Sequence, residues 1–61
     1  MTQLTGKELT AINEQLEAEK VVIAKYRMYA NNVQDTELKT RFEAIASRHC
    51  QHYDKLYSLL G

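Results

Sequence analysis

Two helical stripes on either side of a short polar segment constrain the fold of this chain more than any other feature of its sequence. Mostly apolar residues recur at alternating intervals of three and four, first from Leu9 to Val33 and again from Leu38 to Leu59. Residues three and four apart share one face of an α-helix, so each stripe predicts an amphipathic helix. The stripe members are Leu9, Ile12, Leu16, Glu19, Ile23, Tyr26, Ala30 and Val33, then Leu38, Phe42, Ile45, His49, His52, Leu56 and Leu59.

The first helix has a recognisable start. Thr5 and Glu8 have the spacing of a capping box, in which the hydroxyl and the carboxylate each accept a hydrogen bond from the other residue's backbone amide. Proline is absent and glycine occurs only at Gly6 and Gly61, so no strong helix breaker lies in the middle of the chain. We therefore predict helix 1 over about residues 6–31.

A run from residue 31 to residue 36 that is polar except for Val33 predicts the turn, because asparagine side chains compete for backbone partners and tolerate left-handed conformations. We place the turn at about residues 32–35. Asp35 is then a suitable N-cap for helix 2, over about residues 36–60, and Gly61 ends it.

The short turn makes the two helices antiparallel. If the turn centres near Gln34, facing residues have numbers that sum to about 68, and the two stripes then coincide rung by rung. Glu19 should face His49, for example. The predicted fold class is all-α, a single antiparallel helical-hairpin domain over residues 1–61.

A hairpin of this size needs a partner. A chain of 61 residues rarely buries enough apolar surface to offset its ordering entropy, and a lone cysteine, Cys50, excludes an intramolecular disulfide framework. Val22 and Tyr29 also widen the apolar face of helix 1 beyond a two-helix seam. These features predict a homodimer in which two hairpins close into a four-helix bundle.

The charge balance excludes some partners. Eight basic residues offset eight acidic ones, so no net field attracts nucleic acid or anionic lipid. No apolar run approaches the length of a membrane span, and the N-terminus lacks the layout of a signal peptide. We expect neither nucleic acid nor membrane as a partner, and a cytoplasmic location.

Three ionisable residues interrupt the stripes at nearly one level. His49 and His52 lie three apart on one helical face, and Glu19 faces them from helix 1. Two imidazoles and one carboxylate suit Fe(II), Mn(II) or Zn(II) and leave coordination positions for water. Glu19, His49 and His52 are therefore candidate metal ligands, and a dimer would bring two such sets near its axis.

A purely structural interpretation stays open. Glu19 and His49 can form a buried hydrogen-bonded pair that fixes helix register and oligomeric state, with His52 as an ordinary core histidine. In that case the chain is a helical adaptor whose polar pair selects its partner.

The sequence also resembles a known family. Glu19 and Tyr26, followed by a histidine-bearing second helix, resemble one helix pair of the ferritin-like di-iron superfamily. The run from Leu16 to Leu60 is more closely similar to the small ferritin-like spore coat proteins of the Coat F type. The segments that carry this similarity are LEAE at 16–19, YRMYA at 26–30, DTELK at 35–39, FEAIA at 42–46 and HCQHY at 49–53.

The resemblance implies a ferritin-like bundle with a structural or accessory role in sporulation, other coat proteins as partners, and deposition in the spore coat. One departure bears on chemistry. Ferritin-like iron sites carry Glu-x-x-His on the second helix, whereas this chain has His49 in the place of that glutamate. The departure weighs against oxygen-activating di-iron chemistry, but it is compatible with plain metal binding. A small metal-storage or di-metal redox protein is the alternative, and whether the chain is an enzyme stays open.

Overall fold

The first helix begins at the predicted capping box. The computed structural model describes residues 3–61, and α1 spans Gly6–Asn32 within it. Thr5 Oγ1 accepts a hydrogen bond from the Glu8 amide at 3.1 Å, and Glu8 Oε1 accepts one from the Thr5 amide at 2.9 Å. Both reciprocal bonds of the capping box are present, so two of the orphan amides at this end of the helix have partners.

The second helix, α2, spans Thr36–Ser58 and begins at the predicted N-cap. Asp35 Oδ1 accepts a hydrogen bond from the Leu38 amide at 2.9 Å. α2 ends two residues before the expected Leu60, since Leu59 and Leu60 lie in a turn whose amides bond to Leu56 and Tyr57 carbonyls.

The two helices of residues 3–61 pack along their length as an all-helical hairpin. Its principal extents are 46 × 17 × 10 Å. Near the turn, the rings of Tyr26, Tyr29 and Phe42 contact one another with centroids 5.5 to 5.8 Å apart. This aromatic cluster includes the predicted rung between Tyr26 and Phe42.

The core of a single hairpin is small. Among residues 3–61, the buried apolar side chains are Leu16, Ala30 and Ala46. Two layers of helix leave most apolar residues half-buried or exposed, because each helix is covered on one side only.

The prediction that all stripe residues of α2 face α1 is wrong. Ala46 is buried and Tyr53 half-buried, whereas Leu38 and Leu59 keep 45% and 53% of their surface exposed. Phe42, Ile45, His49 and Leu56 of the stripe stay half-buried, so the face that α2 turns toward α1 overlaps the predicted stripe and is rotated from it only in part. The physical reason is that a straight helix drifts by about 20° per heptad relative to a 3.5-residue repeat, so one stripe cannot face a neighbour throughout.

Neither helix of residues 3–61 is long and apolar enough to cross a membrane.

Candidate metal centre

Glu19 is the one charged side chain that the hairpin buries among residues 3–61, with 6% of its surface exposed. It lies on the face of α1 that also carries the buried Leu16, one turn away. Burying a carboxylate without a partner costs several kcal/mol. The residue therefore needs compensating contacts at this position.

His49 supplies the main compensation. Its Nδ1 lies 2.7 Å from Glu19 Oε2, as the predicted facing of these two residues requires. Gln15 Nε2 donates a second hydrogen bond to Glu19 Oε1 at 3.2 Å. Both carboxylate oxygens are thus engaged, and no buried side-chain nitrogen or oxygen in residues 3–61 lacks a hydrogen-bond partner.

These contacts favour the charged carboxylate. The hydrogen bond from His49 lowers the pKa of Glu19 below its usual value, while burial opposes this shift and the Gln15 hydrogen bond assists it. An ionised carboxylate only accepts hydrogen bonds, so His49 must carry a proton on Nδ1. In neutral His49 the lone pair then lies on Nε2, the nitrogen that remains free to bind a metal ion.

His52 completes the group from the next turn of α2. Its ring centroid lies 5.5 Å from that of His49, with the two ring planes nearly perpendicular at 83°. The sequence prediction that His52 lies inside the core with the other two is wrong, because its side chain is exposed. The rotation of α2 described above accounts for this difference.

Glu19, His49 and His52 form a group that can hold a metal ion. One ligand atom from each residue lies within 4.8 Å of the other two. Around a tetrahedral ion with bonds of about 2.1 Å, ligand atoms lie about 3.4 Å apart. Ligand atoms near the outer limit of 4.8 Å must therefore move closer together, which rotation of the exposed His52 side chain permits.

An ion has two ways to enter this group. It can replace the proton between Glu19 and His49, which requires their 2.7 Å contact to lengthen. It can instead bind His49 at Nε2, so that Glu19 orients the imidazole through Nδ1, a common arrangement around metal-bound histidines. Either route uses the same three side chains.

A second polar contact lies on the other side of the hairpin and was not predicted. Arg27 Nη2 lies 3.3 Å from Cys50 Sγ, and both line a groove of about 270 Å³ with Lys20, Ile23, Ala24 and Tyr53. Cys50 and His52 point in nearly opposite directions because each helical residue advances the side chain by about 100°. The pairing of residues whose numbers sum to about 68 does not predict this contact, because the long Arg27 side chain reaches along the groove beyond its own rung.

Comparisons of this chain with protein-family models, with curated proteins and with solved structures gave no match.

Proposed function

We propose that this chain binds a divalent transition-metal ion through Glu19, His49 and His52, as a homodimeric helical bundle with a structural or accessory role of the spore coat type. The convergence of three ligand atoms within 4.8 Å carries the metal part of this proposal. The cellular role rests on the resemblance of short sequence segments between Leu16 and Leu60 to small ferritin-like coat proteins.

The donor set narrows the choice of metal. Imidazole nitrogen and carboxylate oxygen suit Fe(II), Mn(II) and Zn(II), whereas Ca²⁺ and Mg²⁺ prefer oxygen ligands alone. A structural ion in this position would join the middle of α1 to the middle of α2. Metal binding would then stabilise the hairpin, since the unfolded chain offers no such site.

A small metal-storage or redox protein is the second candidate. Three protein ligands leave coordination positions open to water or another small molecule, as in catalytic sites rather than closed structural ones. The exposed position of His52 favours this candidate, because the cluster is reachable from solvent.

Metal analysis of the untagged protein tests the proposal. We expect about one Fe, Mn or Zn ion per chain after exchange into metal-free buffer, and loss of that ion in the His49→Ala, His52→Ala double variant. Gln51→Ala is the matched control, because Gln51 is an exposed polar residue between the two histidines. Equal metal content in the double variant and the control would refute the metal site.

Two further measurements separate the candidates. A storage or redox role predicts that protein loaded with ferrous iron consumes oxygen or peroxide faster than the double variant. A coat role predicts expression during spore formation and recovery of the protein from purified coats, with no such turnover. Absence from sporulating cells would contradict the coat role.

The structural interpretation of the polar pair makes a different prediction. If Glu19 and His49 only set helix register, replacing Glu19, His49 and His52 together with leucine should change the oligomeric state or topology. If the group binds metal, the same variant should keep its assembly in metal-free buffer and lose only the ion. Sedimentation with and without a chelator distinguishes the two results.

A further inference from the structure

One side of the hairpin, here called the open face, carries an unpartnered apolar surface. On α2 it follows residues spaced seven apart, and on α1 it follows residues on the flank opposite Arg27. Leu38 is 45% exposed and Leu59 is 53% exposed, and Tyr29 is also at the surface. The open face consists of Gln15, Ala18, Val22 and Tyr29 on α1 and of Leu38, Ile45, His52 and Leu59 on α2.

The opposite side differs in chemistry. It carries Lys20, Arg27 and Glu43, together with Cys50, around the grooves of that side. Charged residues are depleted from the centres of protein interfaces and apolar residues are enriched there. Lys25, whose Nζ lies 5.9 Å from the Tyr29 ring centroid, and Arg41, three residues after Leu38, flank the open face. No charged residue lies among the members of the open face itself, so it is the side of the hairpin better suited to association.

The size of the open face fits a second copy of this chain. Extents of 46 Å by 17 Å give a face of roughly 780 Å², and a stable interface buries about 800 Å² per partner. A heptad-spaced stripe of apolar residues is also the pattern with which helices pack against their own copies.

The position of the polar residues makes the open face self-complementary. Glu19 is the central residue of the 27 that form α1, and His49 and His52 lie near the middle of α2. A two-fold axis that lies in the interface and crosses the middle of the open face therefore sets polar residues against polar residues and leaves the apolar ends to meet apolar ends. A chemically different partner would have to reproduce this pattern.

We infer that the open face binds a second copy of this chain and that the dimer and the metal ion bind cooperatively, because the second copy closes over the Glu19, His49 and His52 cluster. This inference rests on the proposed metal site. Without an ion, closing the face would bury His52 and further desolvate Glu19 with few new partners. With an ion, the same groups are ligands, so burying them costs less.

The coupling must be reciprocal. If the metal ion tightens the dimer by some factor, dimerisation tightens metal binding by the same factor. Couplings between two binding events are commonly about 5- to 150-fold, and we expect a value of about tenfold or more here, since the cluster lies at the centre of the face.

Sedimentation of the full, untagged chain with Zn²⁺ as the probe tests this inference. The dimer dissociation constant should fall by about tenfold or more between EDTA and saturating Zn²⁺. His52→Ala should still dimerise through the apolar residues but lose the response to Zn²⁺. An unchanged dimer constant in protein that binds Zn²⁺ would overturn the coupling and leave the metal site standing. Failure to bind Zn²⁺ would overturn both.

Two neighbouring valines locate the interface. Val22→Glu places a charge on the open face and should abolish the dimer, whereas Val21→Glu changes a 66% exposed residue outside the face and should not. Equal dimerisation of both variants would exclude the open face.

A spin-label measurement gives the same information if Val22→Glu fails to fold. Two singly labelled proteins are compared. The first carries its label at Ala18→Cys in a Cys50→Ser background, and the second is the wild type labelled at its native Cys50. The open-face dimer predicts a shorter distance between the two position-18 labels than between the two Cys50 labels. The reverse order would overturn the proposed interface.

Discussion

A buried glutamate carries its charge in a protein only where other groups replace the water it has lost. Glu19 has that replacement in His49 and Gln15, which engage both of its oxygens. The sequence predicted the contact between Glu19 and His49, because both interrupt apolar stripes and the turn places them on one rung. It did not predict the Gln15 contact, since a glutamine one turn away on the same helix can point to solvent equally well.

The charge of Glu19 should matter for metal affinity. Glu19→Gln keeps the size of the side chain but removes the negative charge, so we expect the affinity for Zn²⁺ to fall about 10- to 100-fold, whether the residue binds the ion or orients His49. Calorimetric titration measures this change. Glu17→Gln is the control, because Glu17 is an exposed residue paired with Lys20. Similar losses in both variants would mean that Glu19 has no special role.

The same residue should make the metal-free protein sensitive to acid. The pKa of Glu19 is lower in the folded state than its ordinary value of 4.5, chiefly because of His49. A depressed folded pKa gives stability that is present above the unfolded pKa and is lost as pH falls through the folded pKa. The free energy of unfolding in EDTA should therefore fall as the pH drops below about 4.5.

Urea denaturation at several pH values checks this dependence. Glu19→Gln should show a flatter profile than the wild type in the acid range. Glu8 contributes in the same direction, because hydrogen bonds from Thr5 also lower its pKa, so Glu8→Gln serves as the second comparison. If Glu19→Gln reproduces the full wild-type slope, its carboxylate is not stabilised by folding.

At the scale of the helices, the start of each helix was predictable, but the rotation of α2 about its own axis was not. Thr5, Glu8 and Asp35 act through contacts three residues away in sequence, so local chemistry alone specifies them. The face that α2 turns toward α1 depends on side-chain packing over the whole helix. A broad apolar surface permits more than one rotation, which is why the exposure of His52 was missed.

The capping box of α1 should contribute measurably to stability. Thr5→Ala removes the hydroxyl that accepts from the Glu8 amide and should lower the free energy of unfolding by about 1 kcal/mol. Thr10→Ala is the control, since the Thr10 hydroxyl donates to the Gly6 carbonyl inside the helix and alanine is the better helix former. Chemical denaturation measures both variants, and an equal loss in the two would contradict a specific capping role.

The close approach of the helices should depend on small residues at their contact. Ala46 is 4% exposed, so the larger side chain of Ala46→Leu must displace α1 or turn into the neighbouring groove that Ala46 lines. The variant should cost about 1–3 kcal/mol of unfolding free energy. Ala44→Leu adds the same volume at an exposed position two residues away and should change stability by less than about 0.5 kcal/mol. If Ala46→Leu leaves the free energy of unfolding unchanged, the helices separate easily at this level.

At the scale of the whole molecule, the amount of apolar surface that leaves water depends on whether the hairpin binds a partner. A single hairpin buries few apolar side chains completely, and the open face also surrounds the candidate metal ligands. The all-helical hairpin was predictable because two stripes and one polar segment admit few other arrangements. The dimer stays a prediction, since the sequence of one chain specifies a surface but not what covers it.

Dimerisation should make thermal stability depend on concentration. A partner that binds only the folded chain stabilises it by mass action, so the Tm should rise as the protein concentration is increased. Circular dichroism melts over a wide concentration range measure this effect, with Val21→Glu as a variant that keeps it. A constant Tm in the wild type would indicate a stable lone hairpin.

Anomalous diffraction from crystals grown with Zn²⁺, recorded on both sides of the zinc absorption edge, locates the ion directly. We expect an anomalous peak between the helices at mid-length, from a zinc ion bound by imidazole nitrogens of His49 and His52, with Glu19 either bound to the ion or hydrogen-bonded to His49. Zinc bound elsewhere on the chain, or no anomalous peak at this cluster in crystals soaked to saturation, would contradict the account.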